Sequence, residues 1–293
     1  MRNPLKQTLL LVTCLTVVAH AECAKDLRSD KRGGVFIVAF NVTGTTTLSS
    51  DELARLVEDF VGSCYDDDSE EMGQRLRAAF QDRGYFAVEV KSLSFKPGDP
   101  LGIPKPVTVD AEVAEGLRYK MGETTFLENH AFSAERLRQE FTLKKGEVFE
   151  RGKVASGLDS LRKLYASSGY LDFYCIPDTE PSSNGIMSLK LTVDEGPQYH
   201  MGKLEILGGA KEAAARLRSG WNMAEGSTYD SGYIRKFVEE NRSLLPEGFT
   251  AGNVRQVLNC PEALVEVALV IDGRESTSEP PVKSIPCESR HPR

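Results

Sequence analysis

The sequence predicts an α+β protein of three tandem modules of order β-α-α-β-β, each a three-stranded mixed sheet with two helices on one face. Three observations carry this. Glu115-Gly116-Leu117-Arg118-Tyr119-Lys120-Met121-Gly122 returns eighty residues later as Glu195-Gly196-Pro197-Gln198-Tyr199-His200-Met201-Gly202, with five of eight positions identical. Gly84-Tyr85 returns as Gly169-Tyr170, and an alternating apolar run precedes each Glu-Gly. Self-similarity at a fixed period is the mark of a repeat architecture. A weaker ending stands at Asp272-Gly273, 77 residues after Gly196. The modules are therefore expected at 34–116, 117–196 and 197–273, the last divergent. A signal peptide is expected over 1–21, a short tail over 22–33 and a disordered tail over 274–293.

In the first module, residues 35–40 read as a β-rich strand that ends at Gly44. Ser49 and Glu52 form a capping-box pattern, hydroxyl and carboxylate each satisfying an amide at the start of a helix. Leu53, Leu56, Val57 and Phe60 follow at helical spacing, and Met72, Leu76, Ala79 and Phe80 share one face of a second helix. Gly84 ends that helix as a residue free to adopt positive φ. Residues 87–93 read as a strand and 96–106 as a turn-rich loop. Val107, Val109, Ala111 and Val113 alternate with polar residues as a strand with one buried face.

The second module repeats the order. Residues 119–127 are a strand, Ser133 opens a short helix with Leu137 and Phe141, and 144–147 turn. Val154, Leu158, Leu161 and Tyr165 line a longer helix, and strands are expected over 171–176 and around Leu189, Leu191 and Val193. In the third module a strand spans 199–207 and a helix 213–221. Ile234, Val238 and Leu245 lie along the next helix, with Gly248-Phe249 in the place of Gly-Tyr. Residues 263–271 are apolar almost throughout, which implies cover on both faces or a place in an interface. No flexible Gly/Ser linker separates the copies, so a semi-rigid, elongated rod is expected. Glu115-Gly116 and Glu195-Gly196 are its joints, the glycines allowing a turn or close approach that a side chain would block. Tyr85, Tyr170 and Phe249 are expected in the cores.

Arg2 and Lys6, the apolar run over 8–18 and Ala19-His20-Ala21 read as the three parts of a secretory signal. The apolar run falls short of the roughly 20 residues that span a bilayer. Without residues 1–21 the chain carries 34 Lys+Arg against 43 Asp+Glu, a net charge of −9. That balance argues against nucleic acid and against an anionic membrane surface. It is the charge of an exported protein kept soluble. Cys23, Cys64, Cys175, Cys260 and Cys287 remain, and an odd count in an oxidising compartment implies a free or intermolecular thiol. Cys260 with Cys287 and Cys23 with Cys64 is one pairing, leaving Cys175 buried; spacing does not decide among the alternatives. No pair has the spacing of a zinc site.

No Gly-rich phosphate loop and no Gly-x-Ser-x-Gly occurs. His130, His200 and His291 stand in unrelated contexts, His200 in the place of Lys120 as a solvated strand residue. No catalytic residue, cofactor or metal is assigned. Asp66, Asp67, Asp68, Glu70 and Glu71 read as the acidic start of a helix, a metal-binding protein or hydrolase being the outlying alternative.

With these residues in place, the chain resembles the polypeptide-transport-associated (POTRA) repeats, which form the periplasmic arm of BamA-like outer-membrane assembly proteins and of two-partner-secretion transporters. The resemblance covers 34–273 and rests on Gly84-Tyr85, Gly169-Tyr170 and both Glu-Gly sites; Phe249 and Asp272 depart from it. It implies a non-enzymatic periplasmic scaffold with protein partners: unfolded outer-membrane precursors or subunits of the barrel-assembly machinery. No integral membrane span is expected after processing, with any association with the outer membrane made through a partner. Such proteins usually continue into a barrel of about eight or more strands. Only 20 residues follow Gly273, so a detached arm is expected. The resemblance also implies that the strand after Gly-Tyr lies at a sheet edge, where an extended peptide can pair with open backbone groups. The residues are Val88, Glu89, Val90 and Lys91 in the first module and Leu171, Asp172, Phe173 and Tyr174 in the second. Glu89, Lys91 and Asp172 read equally as charges that protect an edge. A connector between cell-envelope or division proteins, as in FtsQ-like proteins, is the alternative function.

Overall fold

The structure, a computed structural model, describes residues 35–45, 47–65, 68–98 and 105–271. The expected signal peptide, Cys23, Asp66, Asp67, Asp272-Gly273, Cys287 and the tail lie outside the described residues. The first module contains β1 (Val35–Thr43), α1 (Ser50–Glu58), β2 (Cys64–Tyr65), α2 (Ser69–Gln81), β3 (Glu89–Pro97) and β4 (Lys105–Ala114). The second contains β5 (Lys120–Leu127), α3 (Ala134–Arg138), α4 (Arg151–Ser167), β6 (Tyr174–Pro181) and β7 (Ile186–Asp194). The third contains β8 (His200–Leu207), α5 (Lys211–Gly220), α6 (Tyr233–Glu240), β9 (Val254–Asn259) and β10 (Leu264–Val270).

Strand orders β2-β1-β4-β3, β5-β7-β6 and β8-β10-β9 put the last strand of every module inside its sheet. In the first and third modules that strand runs parallel to the first and antiparallel to its predecessor. The parallel pair needs the long helical crossover, and the antiparallel pair needs only a turn. The expected α+β architecture therefore forms, with one addition. The two-residue β2 pairs with Val35 and Phe36 of β1, and a run that short has no periodicity to reveal it. β10 explains the apolar stretch at 263–271, since Val265, Val267 and Leu269 face the core and Ala268 is buried on the other side.

The described residues divide into two compact units, one of those up to Glu123 with Leu143–Val154 and Glu180–Ser188, the other of Thr124–Thr142 with Ala155–Thr179 and those from Leu189 onward. The core of one gathers Ile37, Phe40, Leu56, Met72, Leu76 and Phe80 against Val107, Val109, Ala111 and Val113, with Phe40 stacked on Phe60 at 4.5 Å. In the other, Tyr199, Met201, Leu217, Ile234, Phe237 and Phe249 pack on Val265, Val267 and Leu269. Side chains of this size contribute about 1.5–3 kcal/mol each when fully buried. Ser49 and Glu52 make the expected reciprocal cap on α1. Asp68 accepts the amides of Glu70 and Glu71 at the start of α2, so the part of the acidic run that is described serves a helix terminus.

Several expectations change. The buried stripe of α4 is Val154, Gly157, Leu161 and Tyr165, while Leu158 is only half-buried. Gly157 lies against the ring of Phe141, where a Cβ would approach Cδ1 to 2.2 Å. Leu245 is buried beyond the end of α6, after a 3₁₀ turn at Arg242–Leu244. Tyr170 is half-buried, because Tyr165 fills the position beneath the helix and meets Tyr170 edge to face at 5.7 Å. Cys260 is disulfide-bonded, and Cys175 is a free, half-buried thiol that burial pushes up to about 11.

Two helix-interior glycines make a matched test. Gly73 of α2 has room, with the nearest atom 3.6 Å from an added Cβ, whereas Gly157 does not. Gly73→Ala is expected to raise stability by roughly 0.5–1 kcal/mol through helix propensity. Gly157→Ala is expected to lose about 1–3 kcal/mol through overpacking. Urea unfolding of both variants reads the difference.

Candidate functional site: module joints and sheet edges

Each joint is built from the same short set of backbone bonds. Gly84 and Gly169, at φ +92° and +87°, present their carbonyls to the following module and accept the amides of Tyr119 and Tyr199, both at 2.8 Å. The carbonyls of Tyr119 and Tyr199 in turn accept the amides of Phe149 at 2.9 Å and Tyr229 at 3.0 Å. A Cβ on Gly84 would stand 2.7 Å from Val148 Cγ1, and one on Gly169 would stand 2.6 Å from the Tyr199 carbonyl oxygen. The glycine of Gly-Tyr, expected only to end a helix, is thus a joint residue. The available signal was that it recurs in step with Glu-Gly. Gly116 and Gly196 complete the same joints, at φ +70° and +66° and close to Ala87 and Asp172.

The glutamates of Glu-Gly point back into their own modules. Glu115 is 5% exposed, and its Oε1 accepts from the amide of Thr47 at 2.8 Å and its hydroxyl at 2.9 Å. The same hydroxyl lies 2.7 Å from Tyr85 Oη. Glu195 Oε1 accepts the amides of His130 and Ala131 at 2.8 and 2.9 Å and the Tyr165 hydroxyl at 2.9 Å. Each carboxylate thereby fixes the loop after the first strand of its module. Burial and then the Glu195 carboxylate push the Tyr165 phenol upward, so it is a hydrogen-bond donor at any physiological pH.

The two joints differ in their side chains. At the first, Arg118 donates Nη2 to Glu52 at 2.8 Å and Nε to the Arg83 carbonyl at 3.0 Å. Its guanidinium lies 5.5 Å from the centre of the Tyr85 ring. Asp82 accepts the Gly152 amide at 2.8 Å, and Phe86 meets Phe149 edge to face at 5.6 Å. Bonds from the Ser49 amide and hydroxyl, and then Arg118, bring Glu52 down to about 2. At the second joint Gln198 replaces Arg118 and donates only to the Ser168 carbonyl, at 3.0 Å. Tyr199 donates to Asp172 at 2.8 Å, and Leu171 packs on the core of the third module.

The expected edge residues therefore separate. β3 and β6 do lie at sheet edges. Glu89, Val90 and Lys91 open β3, with Lys91 paired to Glu89, but Val88 precedes the strand and is buried in the core. β6 begins at Tyr174, so Leu171, Asp172 and Phe173 are not edge residues. Leu171 and Asp172 serve the joint, and Phe173 stacks on Tyr165 at 4.1 Å. β9 is a third edge of the same kind, missed because its sequence follows an atypical Gly-Phe. The opposite edges are partly covered: β2 pairs with β1, and bridges join Lys120 to Val148 and His200 to Thr228. Among the described residues no set of three or more His, Cys, Asp or Glu is arranged as a metal site. No helix among them is long and apolar enough to cross a membrane.

Two outcomes follow from the joints. Gly169→Ala is expected to raise hydrogen exchange at the Tyr199 amide by about tenfold or more, equivalent to 1.4 kcal/mol of local protection, with less change at amides of the third core. Glu52 has a folded value of about 2 against 4.5, so its contribution to stability is complete above about pH 4.5 and lost as pH falls through 2. The melting midpoint of Glu52→Gln is expected to decline less steeply than that of the native chain over this range.

The geometry can be set beside known proteins. The POTRA family profile, described as surface antigen variable number repeat, matches residues 35–116 and 119–196. The chain is 24% identical over 211 residues to the outer membrane protein assembly factor BamA of Neisseria meningitidis serogroup B, covering 66% of this chain and 26% of that protein. It is 26% identical over 131 residues to a putative outer membrane protein assembly factor of Treponema pallidum, covering 44% of this chain and 16% of that protein. The matches thus span about a quarter or less of these relatives. The crystal structure of POTRA3-5 of Haemophilus influenzae BamA superposes with a TM-score of 0.57 at 18% identity, covering 81% of this chain and 96% of that one, which shows a shared fold. The profile covers more than half of the chain, which therefore belongs to the POTRA family.

Proposed function

We propose that the chain is a non-enzymatic, exported scaffold that holds polypeptide partners in the periplasm by strand addition. The partners are outer-membrane protein precursors or subunits of the machinery that assembles them. The observation that carries this reading is the unequal treatment of sheet edges. Each first strand is partly covered by a turn or short strand of its own module, while among the described residues β3, β6 and β9 have no strand beyond them. An open edge offers main-chain donors and acceptors to any extended chain, which suits clients of many sequences. The likeness to assembly factors supports the class of partner.

The three edges are not equally open. β3 carries Glu89 and Lys91 as an ion pair and Lys96 paired with Asp110, charges of the kind that discourage indiscriminate pairing. β6 contains Pro177 and Pro181, which lack an amide to donate, so strand addition there is confined to short stretches. β9 has neither proline nor acid along Val254–Asn259.

In-cell photo-crosslinking from Glu89, Tyr174 and Gln256 tests the reading. Capture of barrel precursors or assembly subunits is the expected result. Capture of division or cell-wall proteins would replace it with a connector role. No capture at any of the three would remove the edges from the function.

A further inference from the structure

The second module carries a groove of about 580 Å³ on the face of β7 turned away from the buried Leu189 and Leu191. Glu128, His130, Tyr174, Ile176, Thr192 and Asp194 line it, and among the described residues no Lys or Arg does. Large exposed apolar side chains are few among the described residues, and two of them stand here: Tyr174 at 45% and Ile176 at 54% exposure. They are two residues apart on an edge strand and so share a face. Counting from Gly84, Gly169 and Gly248, the same positions are Glu89 and Lys91 in the first module and Asn253 and Arg255 in the third. The apolar pair belongs to the second module alone.

The acidic side of the groove is equally particular to this module. Glu128 stands just past β5 at φ +61°, where the matching positions past β1 and β8 are Gly44 at +87° and Gly208 at +80°. A left-handed backbone suits glycine and is strained for other residues, yet here a carboxylate is kept. Asp194 adds a second negative charge at the far end of β7, with its Oδ1 accepting the Gly196 amide at 3.1 Å. Glu195 also borders the groove, but its oxygens are occupied by the His130 and Ala131 amides and the Tyr165 hydroxyl.

We propose that this groove docks an extended polypeptide segment that bears a Lys or Arg beside an aliphatic or aromatic side chain. The apolar group rests on Tyr174 and Ile176, and the cation faces Glu128 and Asp194. The inference rests on the polypeptide-binding reading and adds side-chain selection to it. Pairing at a strand edge is nearly blind to sequence, whereas this groove favours basic, apolar segments over acidic ones.

Fluorescence anisotropy with the full chain tests it, using labelled peptides of alternating Val and Lys and of alternating Val and Glu. The Val/Lys peptide is expected to bind about tenfold or more tighter than the Val/Glu peptide. Glu128→Gln, which removes the charge and keeps a side chain at that position, is expected to weaken the Val/Lys peptide about two- to fivefold, the worth of an exposed charge contact. Glu128→Gly is expected to weaken it similarly while leaving the melting midpoint no lower than native. Ile176→Lys, which places in the groove the residue found at position 91, is expected to weaken it further. Equal binding of the two peptides, or a Val/Lys preference that both Glu128 variants leave unchanged, overturns the groove and leaves the edge-strand reading standing. Binding of neither peptide also overturns the groove, and the cross-links from Glu89 and Gln256 then decide the broader reading separately.

Discussion

The arrangement depends on a backbone carbonyl held in a left-handed turn. Gly84 and Gly169 reach φ near +90°, and only there does the carbonyl point forward to the first strand of the next module. Tyr119 and Tyr199 are bonded on both sides, amide to the glycine behind and carbonyl to the amide of Phe149 or Tyr229 ahead. Leaving one such buried group without a partner costs about 1–3 kcal/mol. The register of each new first strand is consequently taken from the module before it. Gly116 and Gly196 let the connecting chain fold tightly enough for that handover.

The carboxylate beside each of these glycines shows how one requirement is met by two routes. A buried or half-buried carboxylate needs donors. In the first module the donors are the amide and hydroxyl of Thr47, and that hydroxyl also contacts Tyr85 of the Gly-Tyr pair. In the second they are two loop amides and the hydroxyl of Tyr165, which comes from α4. Phe80 occupies the helix position that Tyr165 takes in the second module, so the phenol has moved between helix and turn while its association with the acid persists. The joint side chains diverge further. Arg118 reaches a carboxylate, a carbonyl and an aromatic face, while Gln198 keeps only the carbonyl contact.

Much of the fold was legible because it is written in periodicity. The alternation of Val107, Val109, Ala111 and Val113, the apolar face of α2, and the Ser49–Glu52 cap are local patterns with one physical outcome. What was not legible depends on partners distant in sequence. Leu171, Asp172 and Phe173 have the composition of a strand, but a neighbouring core, a tyrosine hydroxyl and a stacked ring claim them before β6 begins. Gly157 looks like a weak point in a helix until the Phe141 ring is placed against it. The edge strands were expected from the family resemblance rather than from residues, and only β3 begins where expected to within two positions. Glu128 gave no signal, since its conformation is set by where β5 ends.

Asp82 belongs to the first module by position, yet its carboxylate accepts the Gly152 amide at the beginning of α4, in the second. The matching residue before the next joint is Ser167, and there the contact is between backbone groups, Ser231 amide to Ala166 carbonyl at 3.3 Å. The copies are therefore not interchangeable. Exchanging the first two modules, or joining the second to a foreign neighbour, would separate a helix start from the acid that satisfies it, so the order of the copies has itself become part of the protein's stability.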